Sequence, residues 1–210
     1  MEWYKSLKAT QLGVMRIQKF LLLMIGFLHL PGSVIGSSLR TNYISFRYLG
    51  LARHLVDVRQ NAPFYPVKID EEAVYVFNPG VLVAYDLPLN TPSPLYLRSL
   101  ASLYLDCAAQ PAGYVAAFIY YPEILKGDRW SVGSGFGLAL NVRRSWRRNL
   151  PGAEGLGLFL DWGTVEAIYG PYSEVEILYQ LTEKMEFVFN IMPGLPVVLF
   201  FSAGIRIPIE

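Results

Sequence analysis

Arg143-Arg144-Ser145-Trp146-Arg147-Arg148 sets four guanidinium groups around one indole. Arginine offers planar, paired donors and stacks on aromatic faces. Arg143, Arg144, Trp146, Arg147 and Arg148 are therefore a candidate site for an anionic lipid headgroup, a phosphate or an acidic ligand. The plainer reading is a solvated loop whose charges keep it out of a bilayer. Nucleophilic catalysis has less support. His54 has Asp57 three residues on but no serine or acid partner at a fixed spacing, so no catalytic residue is assigned. Cys107 is the only cysteine, which excludes an internal disulfide, and with so few histidines there is no ligand cluster. Neither a metal nor a cofactor is expected.

A second group of charges recurs at period two within otherwise apolar segments. Arg129 to Val142 shows the pattern best. Trp130, Val132, Phe136, Leu138, Leu140 and Val142 share one face, broken by Ser134, and Ser131, Gly133, Gly135, Gly137, Ala139 and Asn141 share the other. Successive side chains of a strand point to opposite faces, so one face is large and apolar, the other small and polar. A Gly-x-Gly-x-Gly run could be a phosphate loop, but at this period it fits a strand face better. In Glu174 to Leu181, Glu174, Glu176 and Gln180 oppose Val175, Ile177, Tyr179 and Leu181. A tight Thr182-Glu183 turn then leads to Lys184, Glu186 and Asn190 opposite Met185, Phe187, Phe189 and Ile191, which predicts a hairpin. Further strands are predicted at Thr41–Gly50, Ala73–Asp86, Tyr96–Asp106, Gly113–Tyr121, Leu156–Tyr169 and Val197–Ile207.

The chain is 53% hydrophobic, yet beyond its N-terminal region no segment approaches the 18 or so continuous apolar residues of a membrane helix. A bilayer admits only helices and closed barrels, because backbone polar groups cannot be left unpaired there. The expected fold is an all-β, antiparallel up-and-down transmembrane barrel. Tyr85, Tyr96, Tyr121, Trp130, Tyr169 and Tyr172 fall near strand ends, where interfacial aromatic girdles form. Nine segments are one too many for a barrel with both ends on one side of the membrane. Chain length favours eight strands; ten would follow if Phe64–Ile69 were a short extra strand. An eight-stranded barrel has room inside for side chains or one small ligand.

By parity the lumen receives Arg47, Asp86, Arg98, Asp106, Asp161, Glu174, Glu176, Lys184, Glu186 and Arg206. Both signs are present, so an internal ion-pair network is the first expectation and a narrow polar conduit the second. The apolar run Phe20–Leu30, preceded by Arg16 and Lys19, reads as a signal peptide cut after Gly36, leaving Ser37–Glu210 as a single domain; Met15 is an alternative start. Without Lys5, Lys8, Arg16, Lys19 and Glu2, 14 basic residues stand against 16 acidic, a balance that gives no reason to expect nucleic acid.

With its amphipathic strands, aromatic girdles and final strand at the C-terminus, the chain resembles the small outer-membrane barrels of the OmpW, OmpX and opacity-protein type. It departs from them in ending Ile207-Pro208-Ile209-Glu210, where such barrels usually end in an aromatic residue read by the assembly machinery. The resemblance implies a bacterial outer-membrane location, with surrounding lipid and the barrel-assembly machinery as partners. It also implies a narrow passive channel or uptake barrel for small, even hydrophobic, molecules. The alternative is a surface barrel whose loops bind a host ligand, and a lipid-modifying enzyme is third. Pro79-Gly80 and Pro193-Gly194 could mark kinks where such a barrel opens sideways, turns or bulges being the simpler reading.

Overall fold

A computed structural model describes residues 41–55, 58–89, 93–146, 160–161, 164–194 and 198–209. The expected leader, Met1–Gly36, lies outside the described residues. The strands are β1 (Asn42–His54), β2 (Tyr75–Pro88), β3 (Tyr96–Leu105), β4 (Pro111–Lys126), β5 (Trp130–Arg144), the two-residue β6 (Leu160–Asp161), β7 (Val165–Thr182), β8 (Met185–Gly194) and β9 (Val198–Ile209). Each is antiparallel to its neighbours, β1 pairs with β9, and β5 pairs with β7, so eight strands close on themselves. β6 is an appendage on Glu166 and Ala167 of β7.

The ninth predicted segment disappears because the chain does not break between Tyr169 and Glu174. Leu156–Tyr169 and Glu174–Leu181 are predicted as two strands, but Val165–Thr182 is one; residues 156–159 and 162–163 of the first segment lie outside the described residues. Phe64–Ile69 is not a strand either: Arg59–Phe64 winds as a 3-10 helix, and only Lys68 bridges back to Val76. Pro79-Gly80 lies at an irregularity, where the β1–β2 register shifts between Leu49↔Gly80 and Leu51↔Phe77. That is the bulge reading of this dipeptide.

The two ends of the barrel differ. The connections after β1, β3, β5 and β8 form one end and include the two longest; those after β2, β4 and β7 form the other, where Thr182 and Met185 almost meet. Period-two alternation separates the two faces of the wall throughout. Leu103, Leu138 and Tyr169 are 72%, 68% and 72% exposed on the outside, while Leu82, Leu100, Phe118 and Tyr120 are buried inside. On the inner face of β5, glycine is a packing requirement. A Cβ at Gly133 would come within 2.5 Å of the Tyr120 hydroxyl, and one at Gly135 within 2.5 Å of the Phe118 ring. These glycines make room for two β4 aromatic rings that lean across the ladder.

Candidate functional site: the ion cluster and the loop-end seal

The inward face carries charges in the half of the lumen nearest the short turns. Register sets them up: Asp86 lies opposite Arg98, Glu186 opposite Arg206, and Glu176 opposite both Gly133 and Asn190. Arg98 is fully buried. Its Nε donates to Asp86 Oδ1 at 2.5 Å and its Nη2 to Asp86 Oδ2 at 2.7 Å, while Nη1 donates to both Glu174 and Glu176. Its guanidinium lies 3.5 Å from the centroid of the Tyr120 ring, and the Tyr120 hydroxyl donates to Glu176 at 3.1 Å. Arg206 Nε donates to Asp86 at 3.0 Å and Nη1 to Glu186 at 2.7 Å, with the Tyr43 ring 3.7 Å beneath. Arg47 pairs with Glu176 at 2.9 Å and donates from Nε to Ser45 Oγ at 3.1 Å. Asn190 donates to Glu174 at 2.8 Å.

Several of these pairs cross the lumen from wall to wall, since β1 and β3 each sit three strands from β7 around the ring. Three arginines meet four carboxylates, so burial of each charge is offset by opposite charge and directed donors. Toward the loop end the lumen turns apolar and is crossed again. Tyr104 of β3 and Tyr114 of β4 meet Phe200 of β9, with ring centroids 5.5 and 6.4 Å apart, and the Tyr114 hydroxyl reaches Met192 Sδ of β8 at 3.0 Å.

A third layer seals the loop end. Trp146 is buried; its Nε1 donates to Asp106 Oδ2 at 2.7 Å, and its backbone N donates to Glu166 Oε1 at 3.1 Å. Arg143 donates twice to Glu166 Oε2, at 3.0 and 2.8 Å, and its guanidinium lies 3.9 Å from the centroid of the Trp146 ring. Tyr65, from the β1–β2 connection, packs edge-on against Trp146 and stacks on His54. His54 Nδ1 lies 2.7 Å from the Ala73 carbonyl. Because a carbonyl only accepts, Nδ1 carries the proton. In the β3–β4 turn, outside the spanning strands, burial holds the Asp106 carboxyl above the usual carboxylate range, against the hydrogen bonds from Gln110 and Trp146. Burial pushes the Cys107 thiol up to about 12, so it stays protonated and unreactive at neutral pH.

Arg47, Asp86, Arg98, Glu174, Glu176, Glu186 and Arg206, singled out by parity, come together in one cluster. Asp106 does not join them: it is buried in the turn at the loop end. Lys184 is exposed in the β7–β8 turn, because parity stops meaning inside or outside once the chain leaves the ladder. Asp161 lies in β6, and its side chain is outside the described residues, as are Arg147, Arg148 and Asp57. Within the arginine-rich stretch Trp146 and Arg143 turn inward onto Glu166, and Arg144 is exposed. Trp146 is thus an internal anchor, not a surface ligand contact. Tyr172 and Tyr96, expected in the outer girdles, carry inward parity: Tyr172 packs on Phe118 with centroids 5.0 Å apart, and Tyr96 sits edge-on to Tyr43 beneath Arg206. The sequence reading missed Glu166, Tyr120 and Ser45, and it placed Asn190 on the polar face of its strand without joining it to the lumen charges. Glu166 shares even parity with Glu174 and Glu176, a signal hidden by splitting β7 at Gly170-Pro171. Among the described residues no group of three or more His, Cys, Asp or Glu could hold a metal.

Fold and site together define a closed eight-stranded antiparallel barrel with an ion-paired core and an apolar outer face. No family model matches the sequence, and no curated protein matches it. Among solved structures it is similar to Neisserial surface protein A, at 10% identity over 83% of this chain and 100% of that one, with a TM-score of 0.45. It is also similar to the N-terminal β-barrel domain of Pseudomonas aeruginosa OprF, at 12% identity over 80% of this chain and 98% of that one, with a TM-score of 0.42. A third similar structure is a de novo designed transmembrane β-barrel, at 8% identity over 83% and 100% of the two chains, with a TM-score of 0.45.

Proposed function

We propose that this chain is a small bacterial outer-membrane β-barrel with a plugged lumen, a protein that acts at its loop end and through its wall rather than as an axial pore. The observation that carries the membrane reading is the outer face. Tyr75 and Tyr85 on β2, and Tyr169 and Tyr179 on β7, are exposed pairs ten residues apart. At about 3.3 Å per residue and a strand tilt of about 40°, each pair marks two levels about 25 Å apart, the height of the apolar band of an outer-membrane barrel. Outward residues between these levels are apolar or small, among them Val81, Val83, Leu138, Val175 and Ile177. Arginine appears at the levels themselves: Arg53 lies over the Tyr75 ring at 5.7 Å and Arg129 over the Tyr179 ring at 5.5 Å. Water would not favour such a face; hydrocarbon bordered by headgroups would.

The plug follows from the wall-to-wall contacts of Arg98, Arg47 and Phe200. A continuous water path along the axis would require separating buried ion pairs, each of which leaves an uncompensated charge. His54, tied to the Ala73 carbonyl and stacked on Tyr65, supports a role without catalysis. The full chain, refolded into detergent and then into phosphatidylcholine vesicles and planar bilayers, is expected to give β circular dichroism, heat-modifiable migration and no steady conductance. Steady single-channel currents would overturn the plugged lumen, and failure to enter bilayers as β-structure would overturn the membrane reading.

A further inference from the structure

Among the described residues, the edge of β7 that faces β8 carries no ladder between Val175 and Ala167, where β6 takes it up. β7 and β8 pair from Thr182↔Met185 to Val175↔Ile191. Beyond that point β7 still pairs with β5 up to Arg144↔Val165, and β8 with β9 up to Gly194↔Val198. Two prolines stand where the ladder stops: the register carried two residues past Val175↔Ile191 sets Ser173 opposite Pro193, and Pro171 follows on β7. The direction of the backbone explains both. Gln180 N donates to Arg129 O across β5–β7, and that register is unbroken from Tyr179 to Val165. Even-numbered residues of β7 therefore bond to β5, and odd-numbered ones direct N–H and C=O toward β8. Pro171 is odd, and Pro193 faces β7 from the other side. Each ring removes a donor that would have zipped this line, and neither disturbs the ladder behind it.

Outside the seam lie Tyr169, Val175 and Ile191, continuous with the lipid-facing surface. Directly behind it are Tyr172 and Met192, both buried, then Tyr114, Phe118 and Phe200. The Glu174–Asn190 contact at 2.8 Å forms a polar floor. Opening the wall elsewhere breaks backbone hydrogen bonds in hydrocarbon, where nothing replaces them. Here no ladder pair past Val175↔Ile191 has to be broken, and of the two buried side chains behind the seam, Tyr172 and Met192, the second is an unbranched, adaptable thioether.

We propose that the β7–β8 seam is a lateral port through which a hydrocarbon chain of a bilayer lipid enters the apolar half of the lumen, displacing Met192 and lying against Tyr172, Tyr114 and Phe200. The port rests on the membrane reading above, and the test separates the two. The full chain is reconstituted in phosphatidylcholine vesicles carrying a diazirine on one acyl chain, irradiated, and mapped by mass spectrometry. Labelling is expected on outward Leu138 and Val175 and also on Met192 and Tyr172. Labelling of Leu138 and Val175 alone overturns the port and leaves the membrane reading standing; labelling of none of them overturns both. In Ser173→Cys/Pro193→Cys, made in Cys107→Ser, the oxidised protein should show at least fivefold less labelling of Met192 and Tyr172 than the same variant reduced, in which Pro171 still leaves the line short of a donor, with Leu138 unchanged. Undiminished labelling behind the closed seam would rule out this entry route.

Discussion

Arg98 stands opposite Asp86 across the β2–β3 ladder and grips both of its carboxylate oxygens, while reaching across the lumen to Glu174 and Glu176 on β7. One guanidinium thus ties two distant parts of the wall. Arg98→Leu should destabilise the barrel by about 3–5 kcal/mol, because it leaves three buried carboxylates short of a cation. Urea unfolding in detergent micelles reads this directly. Arg98→Lys should recover part of the loss, keeping the charge without the paired geometry. An unchanged midpoint in Arg98→Leu would mean that the cluster is not a structural unit.

Leu138 lies near the middle of β5 on the outer face. Leu138→Arg should cost about 2–4 kcal/mol in vesicles, and the same change at Val142, nearer the loop end, should cost less. A soluble barrel would tolerate both, so equal, negligible effects would argue against a bilayer around this face.

Gly135 leaves no room for a methyl group against the Phe118 ring. Gly135→Ala should cost about 1–3 kcal/mol through overpacking, and adding Phe118→Leu should relieve part of it. A double-mutant cycle by thermal denaturation would show coupling between the two sites if the ring is the obstacle.

Trp146 supplies Asp106 with its one indole donor. Trp146→Phe keeps the packing on Tyr65 and Arg143 but leaves a buried carboxylate oxygen without that partner, at about 1–3 kcal/mol. The loss should appear as faster proteolysis at the loop end, with heat-modifiable migration of the barrel unchanged. Equal nicking rates in the two proteins would detach Trp146 from the seal.

Asp106 also predicts a pH dependence. Burial raises its folded-state pKa above the unfolded value of about 3.9, so the folded state holds its proton more tightly. Its contribution to stability is therefore full below the unfolded pKa and falls as pH rises through the raised one. The melting temperature of wild type minus that of Asp106→Asn should fall over that window as pH increases. A difference that grows with pH would reverse the assigned direction.

The alternation in Arg129–Val142 and Glu174–Leu181 was legible because a pleated strand sorts side chains by parity wherever the ladder continues, and the lumen charges on those strands followed from it. Parity failed where the ladder ends, at Lys184, and where a break was assumed, at Gly170-Pro171. A Gly-Pro pair reads as a turn in one dimension. In the barrel it is tolerated because the proline nitrogen faces a stretch of the β7 edge, between Val175 and Ala167, that pairs with no described strand, and Glu166 fell out of register with Glu174 because the strand was split there.

The sequence by itself determined the strand period, the apolar outer face and the sign and parity of most buried charges, since these depend on local backbone geometry. Chain length already favoured eight strands over ten; the tertiary structure alone decided which segments merge to give them, that Arg98 meets Glu174 across 76 residues of chain, that Trp146 turns inward, and that among the described residues the β7–β8 ladder stops at Val175↔Ile191. Those features depend on ring closure, which fixes the register of every strand against partners that no local pattern can name.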